Sequence, residues 1–359
     1  MAPSPRRRST ERVIRMARRK SQRTTLTDVA RAAGVSVMTV SNVVRGKFVL
    51  PQNKARVEEA IARLNYRPNL SARSLRTSEA RSMGIVIADP DPAFLIDPFI
   101  SRLVSGLSNY LSSIDYTLDI QGVVPERFAS AGILRKDRND ALCAILCGPS
   151  DLRRQHLEFL RQLDQPVVVF QEVFKSPSPN VALIRQDDLG GGKLIAQLLL
   201  KQRVRRLVFL RPMLDWSAVE QRERGIRLVY AAAAADTQVT TIQAASEDFD
   251  DVHTTVQRYL SRTVPDAIVA ATDSMGVAAL KACESMGVEV PKKLIVTGFN
   301  GFDLWRYTHP TLTTVMSPAY EMGRHAGNLL VQRLREGRFP KRNVVFPVTL
   351  RAGESTGRP

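Results

Sequence analysis

Two hydrophobic rhythms divide the chain. Up to about residue 68 the apolar positions are spaced for short helices. Val57, Ile61 and Leu64 recur at i, i+4 and i+7, which sets them on one face of a helix following Pro51. Ahead of it, Thr27 is placed to cap a helix over Asp28–Ala33, with Asp28 at its positive end and Gly34 as a left-handed stop. Ser36 is placed to cap a second helix, Val37–Arg45, whose Val40, Val43 and Val44 are periodic with Val29 and Ala33. Two short helices joined through Ala-Gly-Val-Ser predict a helix-turn-helix.

From Met83 on, compact apolar runs alternate with amphipathic stretches. Gly84–Ala88, Leu118–Ile120, Ala141–Cys147, Val167–Phe170, Leu207–Leu210, Ala267–Ala271 and Leu294–Thr297 read as strands. Leu103–Leu111, Gly192–Leu200 and Gly276–Met286 read as helices between them. The alternation predicts an α/β class with parallel sheets covered on both faces. Residues 83–359 are too many for one such sheet and suit two doubly wound subdomains. Ligands of these folds sit beyond the carboxyl ends of strands.

Charge adds a partner. Residues 1–82 hold 19 Lys and Arg against 5 Asp and Glu, whereas residues 83–359 hold 33 against 30. A small basic module is therefore joined to a nearly neutral one. Such a module expects a polyanion, most commonly nucleic acid, the bland alternative being a basic tail on an enzyme. The first 23 residues, with nine basic side chains, Pro3 and Pro5, read as a disordered arm that contacts phosphates or is simply solvated.

Other chemistry is sparse. No run approaches the roughly 18 apolar residues of a membrane span, and the N-terminus lacks the apolar core of a signal peptide. Three cysteines without a CxxC pair fit a reducing cytoplasm, with Cys143 and Cys147 as buried thiols on one strand face. Gly190, Gly191 and Gly192 belong to neither GxGxxG nor a Walker motif and read as a tight turn into a helix. The four histidines are scattered, and no nucleophile–base pair is recognisable. No enzyme activity, metal or cofactor is expected.

The run TLTDVARAAGVSVMTVSNVV from Thr25, followed by LNYRPNLSARSL, resembles the LacI/GalR family of bacterial transcription regulators. The resemblance implies that the second helix enters the major groove, with Val37, Met38 and Asn42 in the base-reading positions. Asn42 can pair with adenine, and Val37 and Met38 can meet a thymine methyl. Ser36, Thr39 and Ser41 can donate to phosphates. Leu50 stands where the family usually caps its third helix with Ser or Thr. Pro68 ends that helix, and Asn69–Arg76 would form a hinge helix that folds on DNA against its symmetry mate. Leu75 would wedge into the minor groove, its alternative being to pack on the body of the protein, with Arg73 and Arg76 near the backbone. The implied partner is a palindromic operator bound by a homodimer.

Further landmarks are DDLGGGKL, Arg222-Glu223-Arg224-Gly225 and VTGFNGFDLWRYTHPTLTTV. They imply two subdomains like those of a periplasmic sugar-binding protein, with the chain crossing near Ile184, Pro310 and Val345. By position the effector would meet Asp97, Phe99, Gln171, Arg222, Phe249, Thr272, Asp273 and Asn300. Asp273 has a rival role as helix cap, Phe249 as core, and Arg222 as surface partner of Glu220 or Glu223. Neutral-sugar members commonly carry carboxylates where this chain has Gln171 and Asn300. Amides beside an arginine tolerate an anion, so a sugar acid or sugar phosphate is expected over a neutral sugar. GFNGFDL likewise resembles the gluconate-repressor branch. The whole predicts a cytoplasmic, nucleoid-associated, DNA-binding repressor: arm 1–23, helix-turn-helix 24–68, hinge and linker 69–82, and effector-binding and dimerisation domain 83–359. Its rivals are an exported solute-binding protein and an enzyme with a basic tail.

Overall fold

The computed structural model describes residues 24–44, 46–66, 80–90, 94–173, 178–233 and 237–357. The chain forms two compact units, one ending at Ser78 and one starting at Glu79.

The first unit holds α1 (Leu26–Ala33), α2 (Val37–Val44) and α3 (Pro51–Arg63). The cap of α1 is Thr25, not Thr27. The Asp28 amide donates to Thr25 Oγ1, and the Asp28 carboxylate accepts from the Thr25 amide at 2.9 Å. This reciprocal box satisfies two end groups at once and draws the start back to Leu26. Gly34 stops α1 at φ 62°, as expected. The core is Val29, Ala33, Val40, Val57, Ala60 and Tyr66. Leu50 gives α3 no side-chain cap, in keeping with its sequence. Arg45 and the hinge residues Arg73, Leu75 and Arg76 lie outside the described residues.

In the second unit, β1 (Ser82–Ala88), α4 (Pro98–Ser112), β2 (Thr117–Val123), β3 (Ala141–Leu146), α5 (Ser150–Arg161), β4 (Val167–Phe170) and β5 (Val181–Gln186) begin a first subdomain. A second follows: α6 (Asp188–Lys201), β6 (Arg206–Pro212), α7 (Ser217–Ala231), β7 (Gln238–Ala244), α8 (Phe249–Leu260), β8 (Ala267–Ala270), α9 (Asp273–Ser285), β9 (Ile295–Thr297), α10 (Leu304–Tyr307) and β10 (Thr314–Met316). Then α11 (Ala319–Glu336) and β11 (Asn343–Phe346) return to the first, and β12 (Thr349–Arg351) to the second. The crossings thus follow Gln186, Met316 and Phe346, a few residues beyond 184, 310 and 345.

The first sheet has the order β11-β5-β4-β3-β1-β2 and the second β7-β6-β8-β9, all pairs parallel; β10 and β12 form an antiparallel ribbon. Each sheet reverses its winding beside its first strand, so each has a crevice at the carboxyl ends, between β1 and β3 and between β6 and β8. Within the first sheet, Ile85, Ile87, Cys143, Ile145, Val168 and Phe170 pack one face, and Val86, Ala88, Leu142, Ala144, Val167 and Val169 the other. That alternation in fully buried strands explains the continuous apolar runs.

Helix pairs cross very closely. Gly192 of α6 faces the carbonyl of Arg222, and Gly225 of α7 faces the carbonyl of Leu189, so each helix presses its backbone into the other's glycine. Gly106 of α4 and Gly323 of α11 make the matching crossing in the first subdomain, against Tyr320 and Leu103. Gly191 and Gly192 therefore serve packing early in α6, against Phe299 and Arg222, while Gly190 leaves room for the Asp187 carboxylate that caps the helix, and none of the three forms a turn before it. A methyl on Gly192 would fall on a backbone oxygen that cannot yield. Gly192→Ala should lower stability by about 1–3 kcal/mol, although alanine is the better helix former. Urea unfolding followed by circular dichroism measures it, and a more stable variant would contradict the close crossing.

Candidate functional site

On the first unit, α2 presents an outward edge. Val37 and Met38 are 41% and 66% exposed, and Asn42 lies one turn after Met38, half-buried. Ser36 caps the helix, its Oγ accepting from the Thr39 amide at 3.1 Å and meeting the Thr39 hydroxyl at 2.9 Å. Ser41 departs from expectation. It follows Val40 onto the packed side and is only 5% exposed, so its hydroxyl is poorly placed for a phosphate. The exposed Phe48 and Leu50 border the start of α3.

In the second unit a cleft opens between the two subdomains, lined by Asp97, Phe99, Gln171, Trp216, Arg222, Glu247 and Asn300 among others. A recess of ≈ 250 Å³ shares Asp97, Glu247 and Asn300 and adds Thr272 and Asp273. Most of these residues follow the carboxyl end of a strand: Asp97 after β1, Gln171 after β4, Trp216 after β6, Glu247 after β7, Thr272 after β8 and Asn300 after β9. Five of the eight expected effector residues thus share the larger cleft, and Thr272 and Asp273 adjoin it.

Arg222 organises the cleft floor. It is buried, not paired at the surface with Glu220 or Glu223. Its Nε donates to Asp188 Oδ1 at 2.8 Å, Nη1 to the Ala271 carbonyl at 2.6 Å and Nη2 to Asn300 Oδ1 at 3.1 Å. Its guanidinium lies over the Phe299 ring, 3.9 Å from the centroid. Asp188 also accepts from Gln186 Nε2 at 2.8 Å and Gln171 Nε2 at 3.0 Å, while Gln171 Oε1 accepts from the Gln186 amide. A carboxylate at 171 could not donate to Asp188, so the amide has an internal purpose. Gln171 and Asn300 also occupy positive φ, 62° and 105°, a region where Asn in particular is tolerated.

Three residues absent from the expected set matter. Asp188 balances the arginine and stood unused in DDLGGGKL. Trp216 adds an aromatic wall. Glu247 projects into the cleft from a strand too exposed to show an apolar run. Thr272 Oγ1 donates to its Oε2 at 3.3 Å. Burial, and then the neighbouring Asp97, push the Glu247 carboxyl up to about 7 against the pull of Arg222 and Thr272. Burial likewise raises Asp97, which caps α4 by accepting from the Phe99 amide at 2.6 Å.

Two expected contacts are corrected. Phe249 is neither core nor cleft: it starts α8, is 49% exposed and stacks on His253. Asp273 has both oxygens engaged, by Thr314 Oγ1 at 2.6 Å and the Gly301 amide at 2.7 Å, so it ties loops together rather than reaching a ligand. Nor does it cap α9, a role taken by Thr272. Burial pushes Asp273 up to about 7. Among the described residues, no cluster of His, Cys, Asp and Glu could hold a metal, and no helix is long and apolar enough to cross a membrane.

Residues 25–69 match bacterial regulatory proteins of the lacI family, and residues 196–356 match a periplasmic binding protein-like domain. The HTH-type transcriptional regulator CelR of Thermobifida fusca is 29% identical, over 88% of this chain and 93% of that one. The ribose operon repressor of Haemophilus influenzae is 27% identical, over 92% and 98%. A structure of a CelR–cellobiose complex superposes with a TM-score of 0.66 at 26% identity, over 93% of this chain and 100% of that one. The lac repressor dimer bound to operator and the anti-inducer ONPF reaches 0.81 at 22%, over 93% and 99%, a likeness of fold.

The raised carboxyls set a pH dependence. Glu247 and Asp273 ionise at ordinary values of 4.5 and 3.8 when unfolded and at about 7 when folded. Between those values the folded chain holds more protons, so the stability they contribute is full below the lower values and lost as pH rises through about 7. The urea midpoint of the effector domain should fall from about pH 5 to about pH 8, and Glu247→Gln should flatten part of that slope. A midpoint that rises instead would contradict the burial of these groups.

Proposed function

From a chain that belongs to the lacI family of bacterial regulatory proteins, we infer a DNA-binding transcriptional repressor controlled by a small sugar-like ligand in the Arg222 cleft. The observation that carries the reading is the union, in one chain, of a capped helix-turn-helix and a two-sheet cleft floored by a buried arginine. The relatives named for ribose and cellobiose support a sugar. We read the helix-turn-helix as residues 24–68, the hinge and linker as 69–82 and the effector and dimerisation domain as 83–359. A homodimer on a palindromic operator in the cytoplasm completes the reading. On sequence grounds, Leu75 is the wedge and Arg73 and Arg76 are its flanking cations.

Regulation needs two arrangements of the subdomains and a ligand that prefers one. The contacts at stake span the cleft. Arg102 of α4 pairs with Asp303 at 2.6 Å. Arg153 of α5 reaches Glu220 of α7 and the Asp215 carbonyl, each at 3.2 Å. Opening the cleft breaks both sets, and a bridging ligand favours keeping them.

The charge balance revises the expected ligand. Read by sequence alone, Gln171, Asn300 and Arg222 favour a sugar acid. The arginine's charge is matched by Asp188, the amides are used internally, and Asp97 and Glu247 add acid to the wall. This arrangement disfavours an anionic effector.

Asn42→Ala should cost about 1–3 kcal/mol at one operator position if Asn42 reads an adenine. Ser41→Ala should leave operator affinity unchanged. Fluorescence anisotropy on a site selected from random DNA, with single-base variants, checks both. Failure to select any site would sink the repressor reading, and a uniform loss across base variants would move Asn42 to the backbone.

A further inference from the structure

We propose that the cleft ligand carries a protonated amino group, as in an amino sugar, held between Asp97 and Glu247. The proposal rests on the reading of this cleft as the effector site and names the chemistry of its occupant.

Among the described residues, the one guanidinium lining the larger cleft is Arg222, which faces Asp188, stacks on Phe299 and pulls only from a distance on Asp97 and Glu247. With that pair set aside, two carboxyls remain on the wall, and no described Lys or Arg makes an ion pair with either. Asp97 uses one oxygen, Oδ1, to cap α4, accepting from the Phe99 and Ile100 amides. Glu247 uses Oε2, accepting from Thr272. Each therefore keeps an oxygen that no described donor satisfies. The two groups repel one another, and burial strengthens the repulsion. A cation between them removes it. Burial and Asp97 hold the Glu247 carboxyl up at about 7, so an ammonium gains by favouring the ionised pair, whereas a neutral hydroxyl offers no compensating charge and an anion opposes ionisation.

The placement gives the cation a mechanical effect as well. Asp97 belongs to the first subdomain and Glu247 to the second. An ammonium bridging them joins the two halves at the cleft, so binding and closure draw on the same contact. An ammonium carries three N–H donors, enough to give one to each carboxylate. Phe99 and Trp216 provide apolar surface for a carbon ring, and Ser217 and Asn300 lie beside it for hydroxyls.

The test uses the purified full chain. Thermal-shift measurements screen glucosamine, galactosamine and mannosamine against the matched hexoses, N-acetylhexosamines and hexonic acids, and calorimetry then titrates every stabilising compound. The expected result is an amine that binds at least tenfold tighter than its hexose and N-acetyl counterparts, with no binding of the acid. Glu247→Gln, nearly isosteric, should weaken that amine at least tenfold and spare the neutral hexose; Asp97→Asn should repeat the pattern if the first variant folds poorly. A hexose or acid that binds as well as its amine overturns the proposal. So does an unchanged amine affinity in both variants, or a set of amines none of which stabilises the chain. Trp216→Ala, with its fold checked by circular dichroism, separates the two readings. Neutral-hexose binding that is lost in Trp216→Ala leaves the cleft as effector site with the amine reading gone, whereas binding untouched by Trp216→Ala, Glu247→Gln and Asp97→Asn alike removes the cleft itself.

Discussion

A guanidinium this deeply buried must be paired, and the cleft is arranged around satisfying that demand. Arg222 reaches a carboxylate, a backbone carbonyl and an amide oxygen, and each partner comes from a different stretch of chain. Asp188 starts α6, Ala271 ends the β8 segment and Asn300 follows β9. The ion pair therefore fixes three strand ends relative to one another. Breaking a buried pair by removing one partner typically costs about 3–5 kcal/mol, because the survivor is left charged and unpaired. The arginine in turn sits correctly because α6 and α7 cross at Gly192 and Gly225, where no side chain separates the backbones.

With that floor in place, the charge of the cleft is set by what remains unpaired. Asp97 of the first subdomain and Glu247 of the second line the same cleft, and the ion pairs Arg102–Asp303 and Arg153–Glu220 cross the boundary elsewhere. Ligand recognition and the relation of the two halves are consequently not separate properties. Any group that alters the electrostatics between Asp97 and Glu247 also alters how firmly the halves are held.

Much of this was legible in the sequence. Most buried strands show as apolar runs, although buried β5, which ends in Arg185 and Gln186, is not among them, and the helix-turn-helix shows through Gly34, Ser36 and the Val29–Val40 periodicity. Arg222, Gln171 and Asn300 were found by position. The misses have physical reasons. β7 is half-exposed, so it left no apolar run, and Glu247 beyond it went unseen. Thr27 reads as the cap from the sequence, yet the Asp28 carboxylate closes a reciprocal box with Thr25 instead. Phe249 has the residue type for stacking on a ligand, yet the start of α8 sets it outside the cleft. Gln171 and Asn300 looked like lost carboxylates, because a sequence does not reveal that an amide is donating to Asp188 or adopting positive φ.

The three chain crossings bear on how the protein is made. The first sheet is not finished by its own early strands: β11, residues 343–346, forms its edge beside β5, and α11 covers one of its faces. A nascent chain that has produced everything through β5 still has an open sheet edge and a bare apolar face. The first subdomain cannot close until the second has been synthesised and the last crossings have left the ribosome. Domains generally fold in order of synthesis, and the helix-turn-helix, whose core lies within residues 26–66, can do so. The effector domain must complete both halves together, after residues 343–346 have emerged, with its longest-range strand pairing last.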